Sequence, residues 1–327
     1  AHGLVKENLL TNHPDPQGIS DALRLDVSMD PEIRYALLPT VPYFDRQGVH
    51  EIYRQWRKLF DSYKDREIMA VAEAWVHPPV NGVAYVRPDE LHQIFNFDLL
   101  IAPFDAKTLF RLVNNTIEML KDVGAYPTWA ISNHDSPRVA SRLGAEEARA
   151  LALFLFGLPG SCYVYNGEEL GLPDAEVADS DRQDPSFLRT NGETKGRDGA
   201  RVPLPWSGME TPFGFSAGKP WLPLPTNWNE LTVEIQSSNS DSSLSLYKRA
   251  LSERAELLGA NDFTWDVSKI DQGILGFSRA GIQVYLNSGD KSVKLQASEI
   301  ILSSSGAPTC ENGEVELITG RAIWFKR

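Results

Sequence analysis

EIMAVAEAW at residues 67–75 and TWAISNHD at residues 128–135 are two apolar, strand-like runs, and each ends in an acid: Glu73 in the first, Asp135 in the second. A charge at the lip of a buried strand must be compensated, because removal from water is costly. Parallel strands that carry carboxylates at their C-terminal ends, with helical sequence between them, are the arrangement of an α/β-barrel active site. A strand-end acid also commonly caps a turn or pairs with an arginine, so the surroundings of each decide between the two readings.

Working outward, residues 48–63 (GVHEIYRQWRKLFDSY) place Ile52, Trp56, Leu59, Phe60 and Tyr63 at helical spacing. Residues 95–101 (FNFDLLI) read as a strand. Residues 105–123 form a strongly amphipathic helix with Asp105 as N-cap and Gly124 as its stop. Residues 145–157 read as a buried helix and 161–165 as a short buried strand. This alternation suits parallel strands joined by crossover helices. Upstream, residues 8–43 read as a polar, Pro-rich loop region with a short helix at about 31–37.

Residues 172–240 are rich in Pro, Gly, Trp and Ser and lack periodicity, which predicts a long loop, and such loops are usually functional. Helix returns over 244–258. Beyond 259 the texture changes to short alternating runs (ILGFSR, IQVYLN, VKLQA, EIILSS, EVELI, AIWFKR) with turn residues between them, the pattern of a small antiparallel β domain.

The chain has 327 residues and a net charge of −12, which argues against nucleic acid and anionic membranes as partners. The longest apolar stretch, ALALFLFGL at 150–158, is too short to span a bilayer. Cys162 and Cys310 do not make a disulfide framework, which favours a reducing, cytoplasmic setting; Cys162 reads as a buried small hydrophobe. No signal peptide is visible.

Trp75 lies two residues beyond Glu73 on the same side and is placed to raise the pKa of Glu73, as a general acid requires. Around Asp135, the run NHDSPR gathers Asn133, His134 and Arg138; it reads as a binding site, against the plainer reading of Asp135 as a helix cap. No second histidine stands at ligand spacing from His134, so no metal is expected. Glu168 and Glu169 follow the 161–165 strand, at least one of them as a solvent-exposed loop acid. GRDGAR at 196–201 reads by itself as a solvated turn with a local ion pair. Two or three carboxylates flanked by Trp, Tyr, His and Arg fit glycoside hydrolysis, in which one carboxylic acid protonates the leaving oxygen and another attacks the anomeric carbon or activates water.

AVAEAW (70–75), ISNHDSPR (131–138), LPGSCYVYNGEELGLP (158–173) and GRDGARVPLPW (196–206) together resemble glycoside hydrolase family 13, the α-amylase family, in its α-glucosidase and oligo-1,6-glucosidase branch. The resemblance covers nearly the whole chain in family order. It implies an α/β fold: residues 1–258 as the C-terminal half of a (β/α)8 TIM barrel starting just after strand 4, and residues 259–327 as a small antiparallel β-sandwich domain. It implies a retaining enzyme acting on short α-glucosides (malto- or isomalto-oligosaccharides, or sucrose-like disaccharides) without a cofactor. Glu73 would be the general acid/base and Asp135 the carboxylate that distorts the sugar and stabilises the transition state. His134, Arg197 and His2 would be substrate-binding residues, and Arg138 a nearby substrate-binding or orienting residue. The family nucleophile, an Asp in a motif like GFRIDVAH, would fall just before Ala1, so residues 1–327 alone are expected to be inactive. Ala72 stands where many members have Gly. Two alternatives share these residues: a transferase or isomerase of the trehalose- or sucrose-isomer-synthase type, and a non-catalytic relative that binds sugar or partners a transporter.

Overall fold

The computed structural model describes residues 45–327 except Trp75, His77, Asn261 and Ala307. The loop and short helix expected over 8–43, and His2, lie outside the described residues. The described residues divide into two compact units: 45–103 with Leu109–Ala130 and Pro159–Tyr163, and Phe104–Thr108 with Ile131–Leu158 and Val164–Arg327.

In the first unit, helix α1 (Gln47–Ser62) precedes strand β1 (Val71–Ala72), which pairs in parallel with β2 (Gln93–Ile94). Strand β3 (Thr128–Trp129) pairs in parallel with β4 (Ser161–Cys162), and helix α2 (Ala106–Lys121) lies between β2 and β3 in the chain. The strands are shorter than the apolar runs that contain them. Met69, just ahead of β1, is 60% exposed, so that end of the 67–75 run faces solvent instead of a neighbouring strand. Side chains connect what the short ladders do not. The Thr128 hydroxyl donates to the Ile94 carbonyl at 2.6 Å and accepts from the Asn96 amide at 3.0 Å. Gln93 donates to Ser161 Oγ at 2.7 Å and accepts from the Tyr163 hydroxyl at 2.6 Å.

The helix read over 48–63 is present as α1, while two expectations fail in this unit, the strand over 95–101 and the burial of Cys162. Residues 95–101 are not a strand: Asn96 Oδ1 accepts the Asp98 amide at 2.9 Å and starts a 3-10 turn over Asp98–Leu100, a local bond that competes with a ladder. Leu99, Leu100 and Ile101 are buried in that turn. On α1 the buried residues are Val49, His50 and Tyr53, while Trp56, Leu59 and Tyr63 are exposed. The buried face is chosen by polar partners. The fully buried Glu90 takes His50 Nδ1 at 2.7 Å and Arg54 Nη1 at 3.0 Å, and Tyr53 packs on Tyr85. Cys162 is half-buried, because β4 is a partly exposed strand.

In the second unit, Asp105 caps α2 through a 2.8 Å bond to the Thr108 amide, as the sequence predicts. Helices α3 (Val139–Leu143) and α4 (Ala145–Gly157) follow. α4 is buried along most of its length, and its even apolarity reflects that. Residues 172–240 are not a plain loop. They carry helices α5 (Pro185–Arg189) and α6 (Val233–Ser238) and a core of their own, which includes Leu172, Val202, Phe213, Leu222 and Trp228. The apolar positions are irregularly spaced, so no period announces them.

Helix α7 (Ser243–Leu257) leads into two antiparallel sheets. One has the order β5 (Thr264–Asp266), β6 (Ile274–Arg279), β7 (Ile282–Asn287), β12 (Arg321–Lys326), β9 (Glu299–Ser303); the other has β10 (Cys310–Glu311), β11 (Glu314–Leu317), β8 (Val293–Gln296). Ile274, Tyr285, Ile323 and Phe325 of the first sheet share a core with Leu295, Val315 and Leu317 of the second. The larger sheet also covers α4, where Trp324 Nε1 donates to the Leu153 carbonyl at 2.9 Å. No described helix is long and apolar enough to cross a membrane.

Candidate active site

The chain leaves β3 at Trp129 and turns at Asn133, whose Oδ1 accepts the amides of Asp135 at 2.9 Å and Ser136 at 2.8 Å. That turn presents His134 and Asp135. Asp135 does not cap a helix: α3 starts at Val139, and its N-cap, Arg138, makes no side-chain capping bond. Instead, Asp135 Oδ1 accepts from Arg197 Nη1 at 2.6 Å and from Arg201 Nη2 at 2.8 Å, with His134 Nε2 at 3.5 Å. A carboxylate that is about a quarter exposed is therefore fixed in direction by two guanidiniums, with the half-exposed His134 ring beside it. Charge-assisted bonds of this kind are shorter and stronger than neutral ones.

The two arginines come from GRDGAR, which is not the solvated turn with a local ion pair that its composition suggests. Arg197 reaches back to Asp184, donating from Nε at 2.7 Å and from its amide at 2.9 Å. Arg201 Nε donates to the His134 carbonyl at 2.8 Å, so it holds both the backbone and the side chain of the NHD turn. Asp198 is buried, and its Oδ2 accepts the amides of Gln183 and Asp184 at 2.8 and 3.0 Å. Burial by itself would raise the pKa of Asp184. The bonds from Arg197 and Ser186 outweigh it and hold the group well below the ordinary carboxylate range. In return, Asp184 raises the pKa of Arg197, with Asp135 adding to the effect. Arg201, Asp184 and Asp198 were not singled out from the sequence. The only signal for Arg201 was its place in the same charge-and-glycine segment as Arg197.

Arg138 is buried. Its Nη1 donates to the Asn166 carbonyl at 2.8 Å and its Nη2 to the Ala200 carbonyl at 2.9 Å, and the guanidinium lies 4.9 Å from the centre of the Tyr165 ring. Burial lowers its pKa from the ordinary arginine value. These bonds tie the segment after Asp135 to residues 166 and 200. A cavity of about 290 Å³ opens here, lined among others by Arg138, Tyr165, Asn166, Arg201, Trp206 and Phe215.

Glu73 directly follows β1 in the first unit; its side chain is exposed, between the buried Ala72 and Ala74. Trp75 and His2 lie outside the described residues. Neither acid of the 168–169 pair is a free loop carboxylate. Glu169 Oε2 accepts the Gly167 amide at 2.8 Å, and Glu168 is buried with Oε1 accepting from the Tyr247 hydroxyl at 3.1 Å. Burial pushes the Glu168 carboxyl up to about 8.

A sequence model described as alpha amylase, catalytic domain, matches residues 17–259. The chain is 28% identical over 252 residues to the oligo-1,6-glucosidase of Parageobacillus thermoglucosidasius, covering 65% of this chain and 44% of that protein. It is 29% identical over 260 residues to maltase A1 of Drosophila melanogaster, covering 74% of this chain and 44% of that protein. The chain thus spans less than half the length of either relative. Among solved structures, the α-glucosyl transfer enzyme XgtA superposes with a TM-score of 0.71 at 27% identity, covering 86% of this chain and 55% of that one.

Proposed function

The chain belongs to the alpha-amylase family, and from that premise we propose that the whole protein is a retaining α-glucosidase acting on short α-glucosides. We place residues 1–258 in its (β/α)8 barrel and 259–327 in a C-terminal β-sandwich domain. The observation that carries the reading is Asp135, held at the end of the β3 segment by Arg197 and Arg201 with His134 alongside. An ionised carboxylate fixed in direction is suited to stabilise an oxocarbenium-like transition state through hydroxyls next to the anomeric carbon.

In this reading Glu73 protonates the leaving oxygen and then, as a base, activates water, while a third carboxylate serves as nucleophile. His134 donates to sugar hydroxyls, and Arg197, with Nη1 on Asp135 and Nε and Nη2 on Asp184, meets substrate beside Asp135. His2, outside the described residues, is assigned to substrate binding. Of the two roles expected of Arg138, substrate binding and orienting, we favour the orienting one, because both of its Nη atoms serve backbone carbonyls. Relatives named oligo-1,6-glucosidase and maltase favour α-1,6- or α-1,4-linked glucose oligomers as substrates.

The test is Glu73→Gln in the full-length gene product. Maltose turnover is expected to fall by orders of magnitude. An aryl glucoside with a good leaving group, which needs little acid assistance, should retain much more of its rate. Near-normal turnover of maltose would overturn the assignment. A second reading, glucosyl transfer, is favoured by the similarity to XgtA. Product analysis separates the two: glucose release from maltose for hydrolysis, new disaccharides or oligosaccharides for transfer.

A further inference from the structure

Among the described residues no hydrogen bond joins Asp184 to the NHD turn, yet its geometry leads straight to Asp135. Its carboxylate is fully buried and receives three short hydrogen bonds: from the Arg197 amide at 2.9 Å, from Arg197 Nε at 2.7 Å and from the Ser186 amide at 2.8 Å. Its own amide is held by Asp198 at 3.0 Å, and Arg201 Nη1 stands 3.8 Å away. Arg197 therefore has its Nε edge committed to Asp184 and its Nη1 committed to Asp135. A guanidinium is a rigid planar fork, so fixing one edge fixes the direction of the other.

The approach depends on Gly196. Its φ is +73°, and a Cβ built there would lie 2.6 Å from Asp184 Cβ and 2.8 Å from Cγ. Only glycine lets the backbone close on Asp184 so that the next residue, Arg197, can grip it with both amide and side chain.

We infer that Asp184 is a positioning residue of the reaction: by holding Arg197 in a single orientation, seated against Gly196, it sets the direction of Asp135. This rests on the reading of Asp135 proposed above. An arginine free of Asp184 could pair with Asp135 in several geometries or swing to solvent, and misplacement by about 1 Å can cost about a hundredfold in rate. Asp184 also caps α5 through Ser186, so a loss on mutation could come from folding alone; the test must separate the two.

The experiment is steady-state kinetics of the full-length gene product on maltose for Asp184→Asn, Arg197→Met, the double variant and Asp135→Asn. Asparagine keeps the shape and the capping oxygen and removes the charge. Asp184→Asn is expected to lower kcat by about tenfold to a hundredfold with KM within a fewfold. In the double variant it should add little to the loss caused by Arg197→Met, because two residues that act through one contact are not additive. Gly196→Ala keeps every charge and displaces Asp184; if Asp184→Asn does not fold, it carries the same test and the same expected non-additivity. A kcat within threefold of wild type, or losses that multiply in the double variant, would overturn the inference. Near-normal activity of Asp135→Asn would instead overturn the reading of Asp135, so the two failures are distinct.

Discussion

Arg201 holds Asp135 at two points: its Nη2 lies 2.8 Å from the carboxylate and its Nε 2.8 Å from the carbonyl of the preceding residue, His134. One planar group thus fixes both the side chain and the peptide that carries it. Lysine carries its three donors on one nitrogen and lacks the planar fork that serves the two acceptors in fixed directions. Arg201→Lys is expected to lower kcat/KM on maltose by about tenfold or more, the equivalent of about 1.5–3 kcal/mol for a hydrogen bond to a charged group. Kinetics within twofold of wild type would mean that Arg197 alone suffices to set Asp135.

Glu168 predicts an unusual stability profile. Its carboxyl is pushed from 4.5 up to about 8 by burial, so the folded chain holds a proton there that the unfolded chain releases. Stability from this group is therefore complete below about pH 4.5 and is lost as pH climbs through 8. The Tyr247 hydroxyl, Ser132 and the Tyr165 backbone bond to it and the buried Arg138 acts on it electrostatically, but burial outweighs these and Glu169 adds to it. Glu168→Gln, a neutral mimic of the protonated acid, should flatten the decline of the melting temperature between pH 5 and pH 9. An equally steep decline in the variant would assign the effect to other groups.

Gly157 predicts a stability change opposite in sign to helix propensity. Alanine is worth about 1 kcal/mol over glycine inside a helix. At the last residue of α4, however, a Cβ would come within 2.8 Å of Phe277 Cζ and 2.9 Å of Val284 Cγ2. The Phe277 ring is hemmed in by Phe154, Phe263 and Trp265, with ring centres 5.1–5.8 Å away, and has nowhere to retreat. Overpacking costs about 1–3 kcal/mol, so Gly157→Ala should lower the denaturant midpoint. An unchanged or raised midpoint would show that the ring moves aside.

These cases also mark what the sequence could and could not reveal. Helix α4, read over 145–157, spans Ala145–Gly157, and β6 and β7 coincide with ILGFSR and IQVYLN. Such elements announce themselves because each is a continuous apolar run, of a length suited to its type and bounded by turn residues, that is local in the sequence. The buried face of α1 did not, because it is chosen by Glu90, forty residues from His50. Asp135 stood out by its place at a strand end, but its partners lie more than sixty residues away, where charge and glycine alternate without a period. Asp184 gave no signal at all: an Asp before a Pro reads as an ordinary helix start, and it is one.

The joint between β2 and β3 remains. Among the described residues no backbone ladder connects them, and the Thr128 hydroxyl spans the gap by donating to Ile94 and accepting from Asn96. Neighbouring rungs of a ladder back one another up; here Gln93 of β2, bonded to Ser161 and Tyr163, is a second tie between the two ladders. Exchanging the Thr128 oxygen for a methyl would keep the shape of the side chain and take a partner from the partly buried Ile94 carbonyl and Asn96 amide. The strand order at this joint therefore depends on side chains as much as on the backbone.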